Sequence, residues 1–177
     1  MILRLPELSD VSEILHYHKE NESHLSPFSP KKPYGYYTEE FWKERIPQHH
    51  EAFLADQAVR LYLFDRQNNK AVIGTLEFSQ IARGPFQACY LGYGIAKKHE
   101  GQGLMFQGLQ AAIDYAFQTL RIHRIMANHL PENHRSAKTL KRLGFVPECV
   151  AKNYLFINGA WRDHVLNSLT NMQWVEK

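Results

Sequence analysis

The chain has 177 residues, 44% of them hydrophobic and 22% charged, the composition of one soluble domain large enough to bury a core. Its net charge of +3 and short lysine pairs give no indication of a DNA partner. Cys89 and Cys149 lack metal-site spacing and no apolar run suits a leader or a membrane span, so a reduced, cytoplasmic protein with a single domain over residues 1–177 is expected.

Residues 1–5 read as a short strand and residues 6–20 as a helix that Ser9 or Asp10 can cap, with Val11, Ile14, Leu15 and His18 at helical spacing. Residues 23–38 carry three prolines and no period, so a loop is expected there. Thr38 opens a second helix to about Gln57, which Pro47 is expected to kink or divide. A hairpin turning at Asn68-Asn69 follows, then a strand in "FQACYLGYGI". Residues 104–120 form the clearest helix, because Met105, Leu109, Ala112, Ile113, Ala116, Phe117 and Leu120 recur at three and four. "HRIMANHL" is a strand, "ENHRSAKTLKRLG" a helix ended by Gly144, and the chain closes in a hairpin around Asn158-Gly159. The predicted order is β-α-α-β-β-β-α-β-α-β-β, a mixed α/β class.

Chemistry concentrates where the strand "YLGYGIA" meets the helix at Leu104. Unpaired first-turn amides and the helix dipole favour an anion there, and Gly101 and Gly103 let a phosphate approach backbone without a Cβ between. The same glycines could simply make a tight connection. Two nucleotide loops are excluded: GxxxxGK[ST] is absent, and Phe106 stands where a dinucleotide fingerprint needs its third glycine. The ten histidines give no H-E-x-x-H pattern, so no metal is expected.

The run Lys98-His99-Glu100-Gly101-Gln102-Gly103 resembles the coenzyme loop Arg/Gln-x-x-Gly-x-Gly/Ala of the GCN-five-related N-acetyltransferases (GNAT), with lysine in the first place. "LGYGIAKKHEGQGLMFQGLQAAIDYA", "HRIMANHLPENHRSAKTLKRLGF" and "YLFINGAWRDHVLNSL" are similar to the RimJ-like ribosomal-protein-alanine N-acetyltransferases within that superfamily; before about residue 58 the similarity is looser. The resemblance implies a GNAT fold, a twisted, mixed and mostly antiparallel sheet of about seven strands flanked by about four helices. It implies acetyl-CoA as cosubstrate and direct attack by an amine on the thioester. The acceptor it implies is the amino-terminal alanine of a small-subunit ribosomal protein, with ribosome contact. Two other readings stay open: a sibling acetylating a polyamine or antibiotic, and a non-catalytic acyl-CoA-binding module on the ribosome.

Residue by residue, the resemblance assigns the coenzyme to Ile95, Ala96, Lys98, Gly101, Gln102, Gly103, Leu104 and Asn133. The amide near Ile95 would polarise the thioester carbonyl. Asn133 would bond the pantetheine arm, and it also suits a helix N-cap. The tyrosine acid of many members is replaced here by Leu140, so Ser136 inherits contact with the departing sulfur, unless it is a plain surface serine. Cys89 lies in an apolar strand and reads as structural. An α-amine titrates about 2.5 units below lysine, so a chain terminus costs about 3.4 kcal/mol less to neutralise and needs only a weak base. Glu77 is the candidate, working through water, or else it is a solvent-facing strand residue. Tyr36, Tyr37, Tyr154 and Trp161 would flank the acceptor, or in part belong to the core.

Overall fold

Alternating apolar residues build one seven-stranded sheet in the computed structural model, which describes residues 1–67 and 71–176. The strands are β1 (Ile2–Arg4), β2 (Val59–Phe64), β3 (Val72–Ala82), β4 (Ala88–Ile95), β5 (Arg124–His129), β6 (Val146–Ile157) and β7 (Ala160–Thr170). Their spatial order is β1-β2-β3-β4-β5-β7-β6, and every pairing is antiparallel except β4 with β5. A parallel neighbour requires a crossover, and the apolar-faced helix between those strands supplies it.

The helices are α1 (Val11–Glu20), α2 (Glu22–Leu25), α3 (Glu39–Leu54), α4 (Leu104–Gln118) and α5 (His134–Arg142). One face of the sheet buries Tyr62, Phe64 and Val72 against Ile14 and Tyr17 of α1 and Trp42 and Ile46 of α3. The other buries Leu63, Leu76, Phe78 and Leu91 against Leu109, Ala112 and Ala116 of α4 and Leu140 of α5. Leu63, Phe64, Leu76 and Phe78 are at most 1% exposed, and each such side chain stabilises the fold by about 2 kcal/mol.

The parallel junction is short. Only Ala88, Cys89 and Tyr90 of β4 pair with β5, opposite Arg124, Ile125 and Met126. Beyond them Leu91 to Ile95 continue on β3 while Ala127 to His129 continue on β7, so the two strands part. Ala96 N–H donates to the Ile73 carbonyl at 2.9 Å. The alternation of an antiparallel ladder then turns the N–H groups of Tyr93 and Ile95 away from β3, into the opening.

The fold class and the mostly antiparallel sheet are as the sequence implied, and local boundaries differ for identifiable reasons. The first helix starts at Val11, after a 3-10 turn over Leu8–Asp10. The Asp10 carboxylate accepts from Glu7 N–H at 2.7 Å and from Arg4 at 2.6 and 2.8 Å, instead of capping α1. Residues 23–38 are not all loop, since α2 and a 3-10 turn over Ser26–Phe28 lie at their start; α2 is also the fifth helix where about four were expected. Pro47 does not divide α3, which is held along its length by buried Trp42, Ile46 and His49. Gly144, at φ +87°, turns the chain directly from α5 into β6. Asn158 and Gly159 form the β6–β7 turn with φ +47° and +84°, as two-residue hairpins prefer. The expected turn at Asn68-Asn69 lies outside the described residues.

Candidate active site

The turn between β4 and α4 is shaped for an anion. Lys97–His99 make a 3-10 turn, in which His99 and Glu100 N–H donate to Ala96 and Lys97 carbonyls at 2.9 and 3.2 Å. Gly101 and Gly103 then take φ +74° and +76°, a left-handed conformation that glycine adopts without strain. A Cβ built on either meets nothing within 4 Å, so the backbone faces open space. Among the described residues, no backbone acceptor takes the N–H groups of residues 101–106; the first bond is Gln107 N–H to the Gly103 carbonyl at 3.1 Å. These free donors sit at the positive end of a fifteen-residue helix, the arrangement that binds phosphate groups.

Glu100 fixes this loop, pairing with Arg135 at the start of α5 and lying 3.3 Å from His24 Nε2 in α2. On the far side, buried Asn21 accepts from Lys97 N–H at 2.9 Å. The turn is therefore tied to both layers of helices.

Asn133 caps α5, its Oδ1 accepting from Ser136 N–H at 3.1 Å. Ser136 Oγ lies 2.7 Å from the Tyr93 hydroxyl, on the strand portion that leaves β5. Burial pushes the Tyr93 phenol up to about 12, against a smaller opposing effect of Ser136, so at neutral pH it carries its proton. Either hydroxyl can donate in this pair; when Tyr93 donates to Oγ, the serine hydrogen is free to point at another acceptor and is a better donor. Sequence reasoning placed Tyr93 within a strand and gave its side chain no role. The signal was present: in "LGYGI", Tyr93 shares a face with Leu91 and Ile95, the face that carries α4 and α5.

Through the gap between β4 and β5, the cavity opens to the opposite face of the sheet. It measures about 950 Å³ and is lined both by the glycine loop and α5 and by α1, α3 and the segment between them. On this second side Glu77 of β3 stands beside its β2 register partner Arg60, oxygen to nitrogen 2.7 Å. Gly92 borders the passage, with nothing within 4 Å of its virtual Cβ. An aromatic shelf walls the chamber: His18 stacks on Trp42 at 4.8 Å and 3°, and the Tyr36 hydroxyl lies 3.1 Å from His18 Nδ1. Burial, then Lys32, holds the His18 imidazole down to about 3, and burial with Arg60, Arg45 and His50 does the same for His49. Both rings are neutral. Burial also lowers the Lys32 ammonium, partly offset by Glu77.

Of the residues expected in the site, Ile95, Gly101, Gly103, Leu104, Asn133 and Ser136 line the end at the glycine loop, and Glu77, Tyr36 and Tyr37 line the other. Five others lie elsewhere. Ala96 is 1% exposed with its N–H committed to β3. Lys98 reaches Glu20 at 3.4 Å over a separate shallow depression, and the Gln102 amide folds back to the Lys98 carbonyl at 2.9 Å. Tyr154 stands one layer behind the cavity, 5.7 Å from the His164 ring and 3.5 Å from Asn128 Nδ2. A bulge at Asn153, whose N–H donates to Asp163, sets that position. Trp161 sits at the exposed end of the β6–β7 hairpin, packed on Phe156 at 5.6 Å. Cys89 is fully buried and its thiol is pushed up to about 12 by burial, which removes it as an acyl carrier. Among the described residues no group of three or more His, Cys, Asp or Glu could hold a metal, and no helix is long and apolar enough to cross a membrane.

Comparison with known proteins agrees with this geometry. The Acetyltransferase (GNAT) domain profile matches residues 1–146. The [ribosomal protein uS5]-alanine N-acetyltransferase of Escherichia coli is 43% identical over 174 residues, 98% of this chain and 89% of that protein. The crystal structure of ribosomal-protein-S5-alanine acetyltransferase from Vibrio fischeri superposes with a TM-score of 0.94 at 40% identity, covering 98% of this chain and 94% of that one. Mycobacterium smegmatis RimJ in complex with CoA-disulfide shares the fold, with a TM-score of 0.89 at 24% identity over 99% and 84% of the two chains. An anion nest at a helix start, a parted strand pair beside it and a chamber reached through that gap thus meet a family match over most of the sequence: the chain belongs to the GNAT acetyltransferases.

Proposed function

We propose that this acetyltransferase acts on the α-amino group of an amino-terminal alanine, on a small-subunit ribosomal protein in the cytoplasm. The observation that carries the reading is the two-sided cavity, which separates an anion-binding end from an acceptor chamber and joins them at the opening of β4. The close relatives named above support the acceptor.

Acetyl-CoA supplies an acyl thioester, activated toward an amine. The free amides of residues 101–106 hold its diphosphate, and Asn133, its Oδ1 engaged in the cap, offers Nδ2 to the arm. Ile95 N–H faces the gap and donates to the carbonyl oxygen as negative charge gathers there. Ser136 donates to the departing sulfur with Tyr93 behind it. Glu77, oriented by Arg60, receives the proton of the acceptor amine through water. The charge of the chamber fits a peptide better than a polyamine: Lys31, Lys32, Arg45 and Arg60 line it against Glu22 and Glu77. A polycation needs the opposite balance.

The test is thiol release from acetyl-CoA against a panel of peptides that differ in their first residue, with a blocked-terminus lysine peptide and spermidine as controls. Alanine-first peptides are expected to be turned over well above the rest, and Glu77→Gln is expected to lower kcat with an unchanged KM for acetyl-CoA. Equal turnover of lysine side chains and alanine termini refutes the assignment. Release with spermidine alone replaces it by the polyamine reading.

A further inference from the structure

Lys32 has no part in the chemistry described above. It is half-buried, and its ammonium lies 5.0 Å from the centroid of Tyr36, on the shelf that His18 and Trp42 complete. Among the described residues no carboxylate comes within ion-pair distance of it, and Glu77, the acid whose field reaches it, is held by Arg60 at 2.7 Å. The shelf itself is uncharged, because His18 is neutral and its other members are aromatic. The acceptor chamber therefore holds the Lys32 ammonium beside an aromatic ring with no carboxylate paired to it among the described residues.

We infer that Lys32 determines acceptor specificity by charge, selecting peptides that carry a carboxylate within the first few residues after the reacting terminus and rejecting those that place a cation there. The inference rests on the amino-terminal reading of the acceptor. A carboxylate near Lys32 completes an ion pair at a partly desolvated site, whereas a lysine meets a like charge that the chamber cannot screen well. Polyamines are disfavoured for the same reason. At separations of several ångströms and the effective dielectric of a protein surface, the contrast is about tenfold in kcat/KM between acidic and basic peptides.

The experiment is kcat/KM by thiol release for alanine-first peptides with a single Glu or Lys at positions two to five, using the wild type, Lys32→Arg, Lys32→Met and Lys32→Glu. The wild type and Lys32→Arg are expected to prefer the acidic peptide at one position by about tenfold. Lys32→Met should flatten the preference and Lys32→Glu invert it. An unchanged KM for acetyl-CoA certifies the fold of each variant. The same acidic-to-basic ranking in the wild type and Lys32→Glu overturns the inference while leaving the amino-terminal reading intact. Turnover of spermidine without turnover of any peptide overturns both.

Discussion

Replacing Tyr93 by phenylalanine removes one oxygen from the site and leaves the ring that packs beneath it. That oxygen holds Ser136 Oγ at 2.7 Å, inside the cavity wall. A hydrogen bond of this kind is worth about 0.5–1.5 kcal/mol net. If the bond matters only while charge leaves with the sulfur, kcat falls about two- to twelvefold and KM for acetyl-CoA stays the same. Loss of the same bond from the folded state lowers the melting temperature by no more than about 6 °C, a control on structure. Ser136→Ala should cost more, and adding Tyr93→Phe to it should cost nothing further, since contacting residues in one relay are not additive. Thiol release under saturating peptide, run for all four combinations, reads the cycle. A wild-type kcat in Tyr93→Phe, or an equal loss with and without Ser136, refutes the relay.

Gly103→Val places a branched side chain at φ +76° and puts its Cβ into the open space over the loop. The left-handed conformation alone costs about 1–2 kcal/mol, so KM for acetyl-CoA should rise about tenfold with a smaller change in kcat; an unchanged KM would separate the nest from the coenzyme. Acid should weaken the fold in a defined window. His18 and His49 are held down to about 3, so the unfolded chain takes up their protons first; their stability is fully present above about pH 6.5 and is lost as pH falls toward 3. Between pH 7.5 and 5.5 each costs about 1.4 kcal/mol, measurable by urea unfolding, and His49→Gln should remove about half of that loss. A flat profile for the wild type would show that the rings are not buried neutral.

The parts of the site that the sequence made legible are those fixed by local backbone rules. Gly101 and Gly103 before the apolar stripe of α4 give both the turn and its direction, and Asn133 three residues before Ser136 gives a cap. What it could not show is set by register between distant segments. Tyr93 meets Ser136 across 43 positions, a spacing that has no local signature. Tyr154 and Trp161 show the same dependence on distant geometry. Their type suggested an acceptor wall, but the Asn153 bulge and the length of the β6–β7 hairpin carry them past the cavity. Pro47 leaves α3 undivided, because a helix interior packed through Trp42 and Ile46 tolerates a missing amide that propensity alone would not.

The three-pair junction of β4 with β5 divides the sheet's hydrogen-bonded ladder into two parts. Strands β1 to β4 cohere through their own ladder, strands β5 to β7 through theirs, and three residue pairs bridge them. A coenzyme arm along residues 91–95 would take the place of a missing neighbouring strand there, so the first ligand would complete the sheet before it reacts. An acceptor arriving earlier would meet a chamber without that wall. Ordered binding, coenzyme first, is the expected outcome, and slowed amide exchange on both parts of the sheet should accompany it.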